Sequence, residues 1–225
     1  MVLKPSELSP VSGSWVLAKA FEKAGVPRGV FNILTCSKEN VGEVGAVITT
    51  HPKVKAISFT GSTKVGKHIA GQAGALLKKV SMELGGKDAM IIMEDADLSL
   101  AVNAAVFSSF NHSGQVCMGT KRIYVDEKVA PEFIKRFVAK TKTLQYGDVR
   151  DFTKPIAPLI NERQVQSIEA QVNEALSKGA TLFVPIADIP HTKSNSTFFT
   201  KNNPTRPTIT MTIYLKKDIN ISAFA

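Results

Sequence analysis

Three short segments of this 225-residue sequence combine residue types that could do chemistry. Cys117 stands in Phe110-Asn-His-Ser-Gly-Gln-Val-Cys-Met-Gly119, a polar, glycine-bearing stretch between a helical pattern and a strand-like one. A cysteine there could be a nucleophile, since only the thiolate reacts and it needs a polar, electropositive or dipole-rich setting. Glu83 follows the apolar run Val80-Ser-Met82 and precedes Gly85-Gly86. A carboxylate so placed could act as a general base that activates water. In Phe59-Thr-Gly-Ser-Thr63 a strand gives way to a glycine and two hydroxyl residues that open a helix. Such a turn offers backbone N–H groups and the positive end of a helix dipole to a phosphate. Gly61 would permit close backbone approach, and Ser62 could donate a hydrogen bond. Taken singly, each segment has an ordinary alternative: a buried cysteine, a surface glutamate beside a turn, a capped glycine turn. Cys36, at a strand end without glycines or polar company, fits the packing role better. Neither standard phosphate fingerprint, G-x-G-x-x-G or Walker, is present.

The elements that must position these residues alternate between helix and strand. Val11 to Ala24 has helical spacing through Trp15, Ala18, Phe21 and Ala24, and Gly25 with Pro27 stops it. Val30 to Leu34 reads as a short buried strand, Val41 to Thr50 as a helix and Val54 to Thr60 as a strand with Ile57 and Phe59 on one side. Ser62 to Leu77 is a helix whose apolar face carries Val65, Ile69 and Ala73. Strand-like runs come next at Val80–Met82 and Ala89–Met93, then a helix capped by Asp97 and running to Phe110. Arg122 to Val125 is a strand, Val129 to Leu144 an amphipathic helix through Phe133, Ile134, Phe137 and Val138. Asn161 to Lys178 is a last helix with Val165, Ile168, Val172 and Leu176 inward, and Asn161 with Gln164 resembles a capping box. Strands alternating with helices of this length imply parallel strands and helical crossovers, hence an α/β fold. Past Val184 the periodicity ends in a region rich in Thr, Ser, Asn, Lys and Pro. There 185–225 reads as poorly ordered, with Thr210 to Leu215 an isolated strand candidate.

Composition excludes several classes. With 44 % apolar and 21 % charged residues the chain is an ordinary globular one. No stretch approaches the roughly 18 apolar residues of a membrane helix, and the first 30 residues hold no signal-peptide core. The net charge of +9 is dispersed and lacks aromatic interleaving, which argues against nucleic acid. Two distant cysteines suit a reducing, cytoplasmic setting, and the four histidines show no metal-ligand spacing with them.

In order, Lys4-Pro-Ser-Glu7, Phe59-Thr-Gly-Ser-Thr63, Glu83-Leu-Gly-Gly-Lys87 and Gly114-Gln-Val-Cys117 resemble the aldehyde dehydrogenase superfamily. The step of 34 residues from Glu83 to Cys117 resembles that family's spacing too. Glu22-Lys-Ala-Gly-Val-Pro-Arg-Gly29, Asp95-Ala-Asp-Leu98 and Pro158-Leu-Ile-Asn161 support it, so the resemblance covers about residues 3–183. It implies a partial aldehyde dehydrogenase fold: 1–85 part of a Rossmann-like NAD-binding domain, 86–184 part of the α/β catalytic domain, and 185–225 a divergent tail. It also implies that Cys117 attacks an aldehyde, giving a thiohemiacetal and then a thioester, with its own backbone N–H holding the oxyanion. Glu83 would be the base for hydrolysis. Lys4 and Glu7 match positions at the adenosine ribose, Gly61 and Ser62 the pyrophosphate site, and Leu84 and Gly85 the neighbourhood of the nicotinamide. The Glu7 carboxylate would repel a 2′-phosphate, so NAD is expected rather than NADP. The implied partners are a small-molecule aldehyde and, for a full-length form, further copies of itself.

There are departures from the family pattern. The upstream Trp-Asn motif, whose Asn supplies a second oxyanion donor, is absent, as is the downstream Glu-Ile-Phe-Gly-Pro segment. Ala157 replaces a usual Gly before Pro158. His112 stands where Asn is common, and together with Val116 and Met118 it resembles a benzaldehyde- or vanillin-dehydrogenase-like branch. The expectation is an acid-forming oxidoreductase, truncated here and inactive as the chain stands. The alternatives are an inactive fragment that at most binds nucleotide and a CoA-acylating semialdehyde dehydrogenase; Glu83 argues against the second.

Overall fold

The computed structural model of the chain describes residues 1–145, 147–148, 150–154 and 156–183. The expectations placed on 185–225, including the strand candidate, lie outside the described residues. The chain divides into two compact units, Met1–Gly85 and a second that begins at Gly86.

In the first unit, β1 (Val2–Leu3) pairs in parallel with β2 (Asn32–Ile33), and β3 (Ala56–Thr60) with β4 (Lys79–Glu83). The connections are helical: a π-helical turn at Val11–Trp15 leading into α1 (Val16–Lys23), then α2 (Val41–Thr50) and α3 (Thr63–Ala75). Strand β1 is too short to carry a pattern and was not expected. The strand expected over Val30 to Leu34 shrinks to two residues and is not buried, since Val30 and Leu34 are exposed. A parallel strand is buried only when both faces are covered, and among the described residues β2 pairs with β1 alone.

Two apolar stripes also differ from expectation. Trp15 and Ala24 are exposed, and Ser14 is the buried residue, its hydroxyl donating to the Pro10 carbonyl. The wider π turn rotates the succeeding residues of α1 away from a 3.6-residue face. On α3, Val65 is 46 % exposed while Gly66 and Ala73 are buried. Leu84 packs against Gly66 so closely that an added Cβ would lie 2.5 Å from its Cδ2. Contact made through a missing side chain is invisible to hydrophobic periodicity. Helix α2 ends under Lys78, whose ammonium donates to the carbonyls of Thr49 (2.6 Å) and His51 (2.7 Å), where the helix dipole favours a cation.

The second unit pairs β5 (Ala89–Ile92) with β6 (Arg122–Val125), again in parallel, and adds α4 (Leu98–Phe110), α5 (Ala130–Lys142) and α6 (Glu162–Ser177). The expected caps are in place: the Asp97 carboxylate accepts from the N–H of Ser99 (2.8 Å) and Leu100 (3.1 Å), and Asn161 from that of Gln164 (3.0 Å). Ile123 and Val125 alternate inward from β6 onto Val102, Val106 and Phe110 of α4 and Phe133 and Phe137 of α5. The Phe133 and Phe137 rings lie 5.7 Å apart. Only Val165 of the α6 stripe is fully buried; Ile168 and Val172 are half-buried and Leu176 is exposed, because α6 lies at the margin of this core. Among the buried apolar side chains of the described residues, only Pro5 and Ala73 belong to the first unit.

Three helices end in the same motif, with the third residue past the helix bonding back to a carbonyl five residues earlier and the second to one three residues earlier. Val26 N–H meets Phe21 O at 3.0 Å, Ala180 N–H meets Ala175 O at 3.0 Å, and Lys78 N–H meets Ala73 O at 3.0 Å. The left-handed residue is Gly25 (φ 77°) and Gly179 (φ 90°) in the first two cases, but Leu77 (φ 52°) in α3. A side chain in that region costs about 1–2 kcal/mol, and Leu77 is 94 % exposed, so it gains no packing in return. Leu77→Gly is expected to raise stability by about 0.5–1 kcal/mol, the glycine's greater unfolded-state freedom offsetting the rest. Urea unfolding with matched slopes measures this; a lowered midpoint would contradict it.

Candidate active site

At the carboxyl edge of the first unit, Thr60 lies opposite Glu83 in the β3–β4 register, and the Gly61 N–H donates to the Glu83 carbonyl at 3.0 Å. The glycine turn and the glutamate are thereby tied together by backbone. Phe59 folds its ring over Gly61, so a Cβ there would sit 2.5 Å from the ring. Ser62 caps α3, its Oγ accepting from Val65 N–H at 3.3 Å. That leaves the N–H groups of Thr63 and Lys64 without partners among the described residues, at the positive end of a helix. The Glu83 side chain is exposed and its carboxylate has no ion-pair or hydrogen-bond partner among the described residues. Leu84 covers Gly66, and beyond it a Cβ at Gly85 would meet nothing within 4 Å.

Elsewhere in this unit the chain leaves β1 into Lys4 and Glu7, which form a half-buried ion pair at 3.7 Å. The Lys4 ammonium also donates to Pro5 O (2.7 Å) and lies 3.9 Å from the Cys36 sulfur. Cys36 is therefore half-buried beside a cation, and not free of polar company as the sequence had suggested; the β1–β2 pairing brings it there from 32 residues away.

Cys117 belongs to the second unit and is exposed. Helix α4 stops at Phe110, and a tight turn over Asn111–Gly114 succeeds it, with His112 (φ 51°), Ser113 (φ 59°) and Gly114 (φ 73°) all left-handed. Two successive non-glycine residues in that region cost about 1–2 kcal/mol each and persist only where the surroundings hold them. Here the buried Ser113 hydroxyl donates to Ala157 O. The Gln115 amide donates to His112 O (3.1 Å), and its carbonyl oxygen accepts from Ile160 N–H (3.4 Å). Gln115 and the Pro158–Asn161 segment, two separate parts of the sequence resemblance, thus support one loop. On the far side, Gly119 packs on α4 with no room for a Cβ, which would lie 2.8 Å from Ser108 O. Asp88 O accepts from Lys121 N–H (3.0 Å) and Arg122 N–H (3.1 Å), and the Arg122 guanidinium donates to Lys87 O (2.7 Å).

One residue that sequence reasoning did not single out is Lys121. Its ammonium donates to the carbonyls of Val116, of Cys117 (3.2 Å) and of Gly119 (2.6 Å). A cation four residues past the cysteine was the available signal. Among the described residues no three His, Cys, Asp or Glu side chains come together to hold a metal, and no helix is long and apolar enough to cross a membrane.

Known proteins resemble this chain in sequence and fold. A model of the aldehyde dehydrogenase family matches residues 1–213, which runs past the 3–183 carrying the motifs. The chain is 43 % identical over 180 residues to the benzaldehyde dehydrogenase YfmT of Bacillus subtilis, covering 80 % of this chain and 36 % of that protein. It is 42 % identical over 182 residues to a 3-sulfolactaldehyde dehydrogenase of Pseudomonas putida, covering 81 % and 37 %. The crystal structure of an NADP-dependent enzyme of E. coli superposes with a TM-score of 0.85 at 34 % identity, over 99 % of this chain and 47 % of that one. The chain spans about a third of the length of the curated relatives it matches. With the family model covering most of its length and the motifs lying on the elements described above, the chain belongs to the aldehyde dehydrogenase family.

Proposed function

We propose that this chain carries the nucleophile and the hydrolytic base of an enzyme that oxidises an aldehyde to a carboxylic acid, with NAD as the hydride acceptor. The observation that carries the reading is the Cys117 loop: an exposed thiol three residues past a strained turn, in a loop held by Ser113, Gln115 and Lys121. Backbone strain held in place by several partners is characteristic of reactive positions. The relatives are named for different aldehydes, an aromatic one among them, so the substrate class proposed is the aldehyde itself.

A nicotinamide dinucleotide fits the first unit. The unpartnered N–H groups of Thr63 and Lys64, with Ser62 beside them and Gly61 turning the chain from β3 into α3, suit a pyrophosphate. Lys4 and Glu7 would hold the adenosine ribose through donor and acceptor respectively, and Leu84 and Gly85 would lie near the nicotinamide. When bound, the cofactor supplies the hydride acceptor. The chain's own residues do the rest. The Cys117 sulfur forms a bond to the aldehyde carbon, and the Cys117 N–H stabilises the oxyanion of the resulting thiohemiacetal. Once the hydride has left, the sulfur holds a thioester. Glu83 takes a proton from water, the water oxygen attacks the acyl carbon, and the C–S bond breaks to release the acid and the thiolate.

In an enzyme containing this chain, Cys117→Ala should abolish NADH formation, whereas Cys36→Ala should leave most of it. Substantial turnover in the Cys117 variant would sink the nucleophile assignment. Glu83→Gln should still acylate, giving one burst of NADH and then a steady-state rate lower by about 10²–10⁴; near-normal turnover returns Glu83 to an ordinary surface role. Glu7→Gln should narrow the preference for NAD over NADP, measured as the ratio of kcat/KM values. A wild-type enzyme that already prefers NADP would rule out a ribose role for Glu7.

A further inference from the structure

We propose that Lys121 is a positioning residue for acyl transfer at Cys117: its ammonium gathers the carbonyls of Val116, Cys117 and Gly119, turning the Cys117 and Met118 N–H groups outward as a pair of donors. The inference rests on the reading of Cys117 as the nucleophile and adds to it a residue that fixes the oxyanion donors.

The geometry stems from the planar peptide. In a trans peptide unit the N–H points opposite to the C=O. The carbonyls of Val116 and Cys117 both point at the Lys121 ammonium, so the N–H of Cys117 and the N–H of Met118 face the other way. Neither N–H has an acceptor among the described residues, although both belong to a turn whose neighbours are bonded, Gly119 N–H to Val116 O at 3.2 Å and Gln115 N–H to His112 O at 3.1 Å. Without a cation these three carbonyl dipoles would not converge on one point; they would repel one another and the turn would open. Hydrogen bonds to a charged donor are stronger than those between neutral groups, and three of them on one ammonium hold a loop of this length. Lys121 is itself fixed, because its N–H bonds to Asp88 O at the start of β6. Gly119 closes the arrangement: its own carbonyl reaches the ammonium at 2.6 Å while its Cα packs on Ser108 O.

Two reactions of the same thiol separate this role from a merely structural one. With p-nitrophenyl acetate, the Cys117 sulfur bonds to the acyl carbon, an oxyanion forms and collapses, the C–O bond to p-nitrophenolate breaks, and the thiol proton goes to solvent. With iodoacetamide, sulfur displaces iodide and no oxyanion forms. Both are measured on the 225-residue chain carrying Cys36→Ser, with Cys117→Ala as the blank. Removing an oxyanion donor outright costs about 10²–10³ in rate. Lys121→Met is expected to slow acylation at least about tenfold while alkylation stays within about threefold, and Lys121→Arg to restore most of the acylation rate. Amide protection at Ile123 and Phe133 must match wild type in each variant, with Lys121→Gln substituted if Lys121→Met fails that check. Unchanged acylation in the variant, an equal loss in both reactions, or no rescue by arginine overturns the role of Lys121. A wild-type chain with no Cys117-dependent acylation overturns the nucleophile reading itself, and this inference with it.

Discussion

Parallel strands joined by helices end at a common edge of their sheet, and in this chain that constraint decides which residues become neighbours. In the first unit β3 and β4 run side by side into Thr60 and Glu83, and the ladder closes with the Gly61 N–H on the Glu83 carbonyl. A glycine turn and a carboxylate that are far apart in the chain are thereby fixed against each other by main chain alone. Ligands in open α/β sheets bind outside the carboxyl ends of the strands, where such turns are free of the sheet. The N-terminus of α3 opens at that same edge, so its free N–H groups and the glutamate share one rim of the unit.

The second unit solves a different problem, the stable presentation of a strained loop. Its apolar core, built from Ile123, Val125, Phe110, Phe133 and Phe137, anchors both α4, which leads into the loop, and β6, which leads out. Between those fixed ends the backbone adopts three left-handed residues in succession. The strain is offset by polar contacts from outside the loop: the Ala157 carbonyl accepts from Ser113 and the Ile160 N–H donates to Gln115 on one side, and Lys121 gathers carbonyls on the other. The Cys117 thiol is left exposed by this division, with the rigid elements on either side of its loop.

Burial is uneven between the two units. The second has a continuous core, while in the first the buried apolar side chains among the described residues are Pro5 and Ala73 and many large apolar residues are exposed, Trp15, Val16, Leu17 and Val80 among them. The first unit is held chiefly by ladder and capping hydrogen bonds, such as those from Lys78 to the end of α2, and by close approaches at glycine such as Leu84 on Gly66. Hydrogen bonds contribute only about 0.5–1.5 kcal/mol each net of water, so this unit draws much less stabilisation from its own described residues than the second does.

The order of helices and strands, the parallel α/β class and the caps at Ser62, Asp97 and Asn161 were legible in the sequence, because they depend on local periodicity and on single side chains reaching their own backbone. The motifs around Glu83 and Cys117, taken together, also pointed to the family before any coordinates. Tertiary structure alone decided the rest. It set the two-residue pairing of β1 with β2 that puts Lys4 beside Cys36, the face of α3 that packs through Gly66 instead of Val65, and the convergence of Lys121 on three carbonyls. Each of these is a contact between a backbone atom or an absent side chain and a partner chosen by the path of the chain. Residue type encodes hydrophobicity and local propensity, but it carries no direct record of where a carbonyl will point.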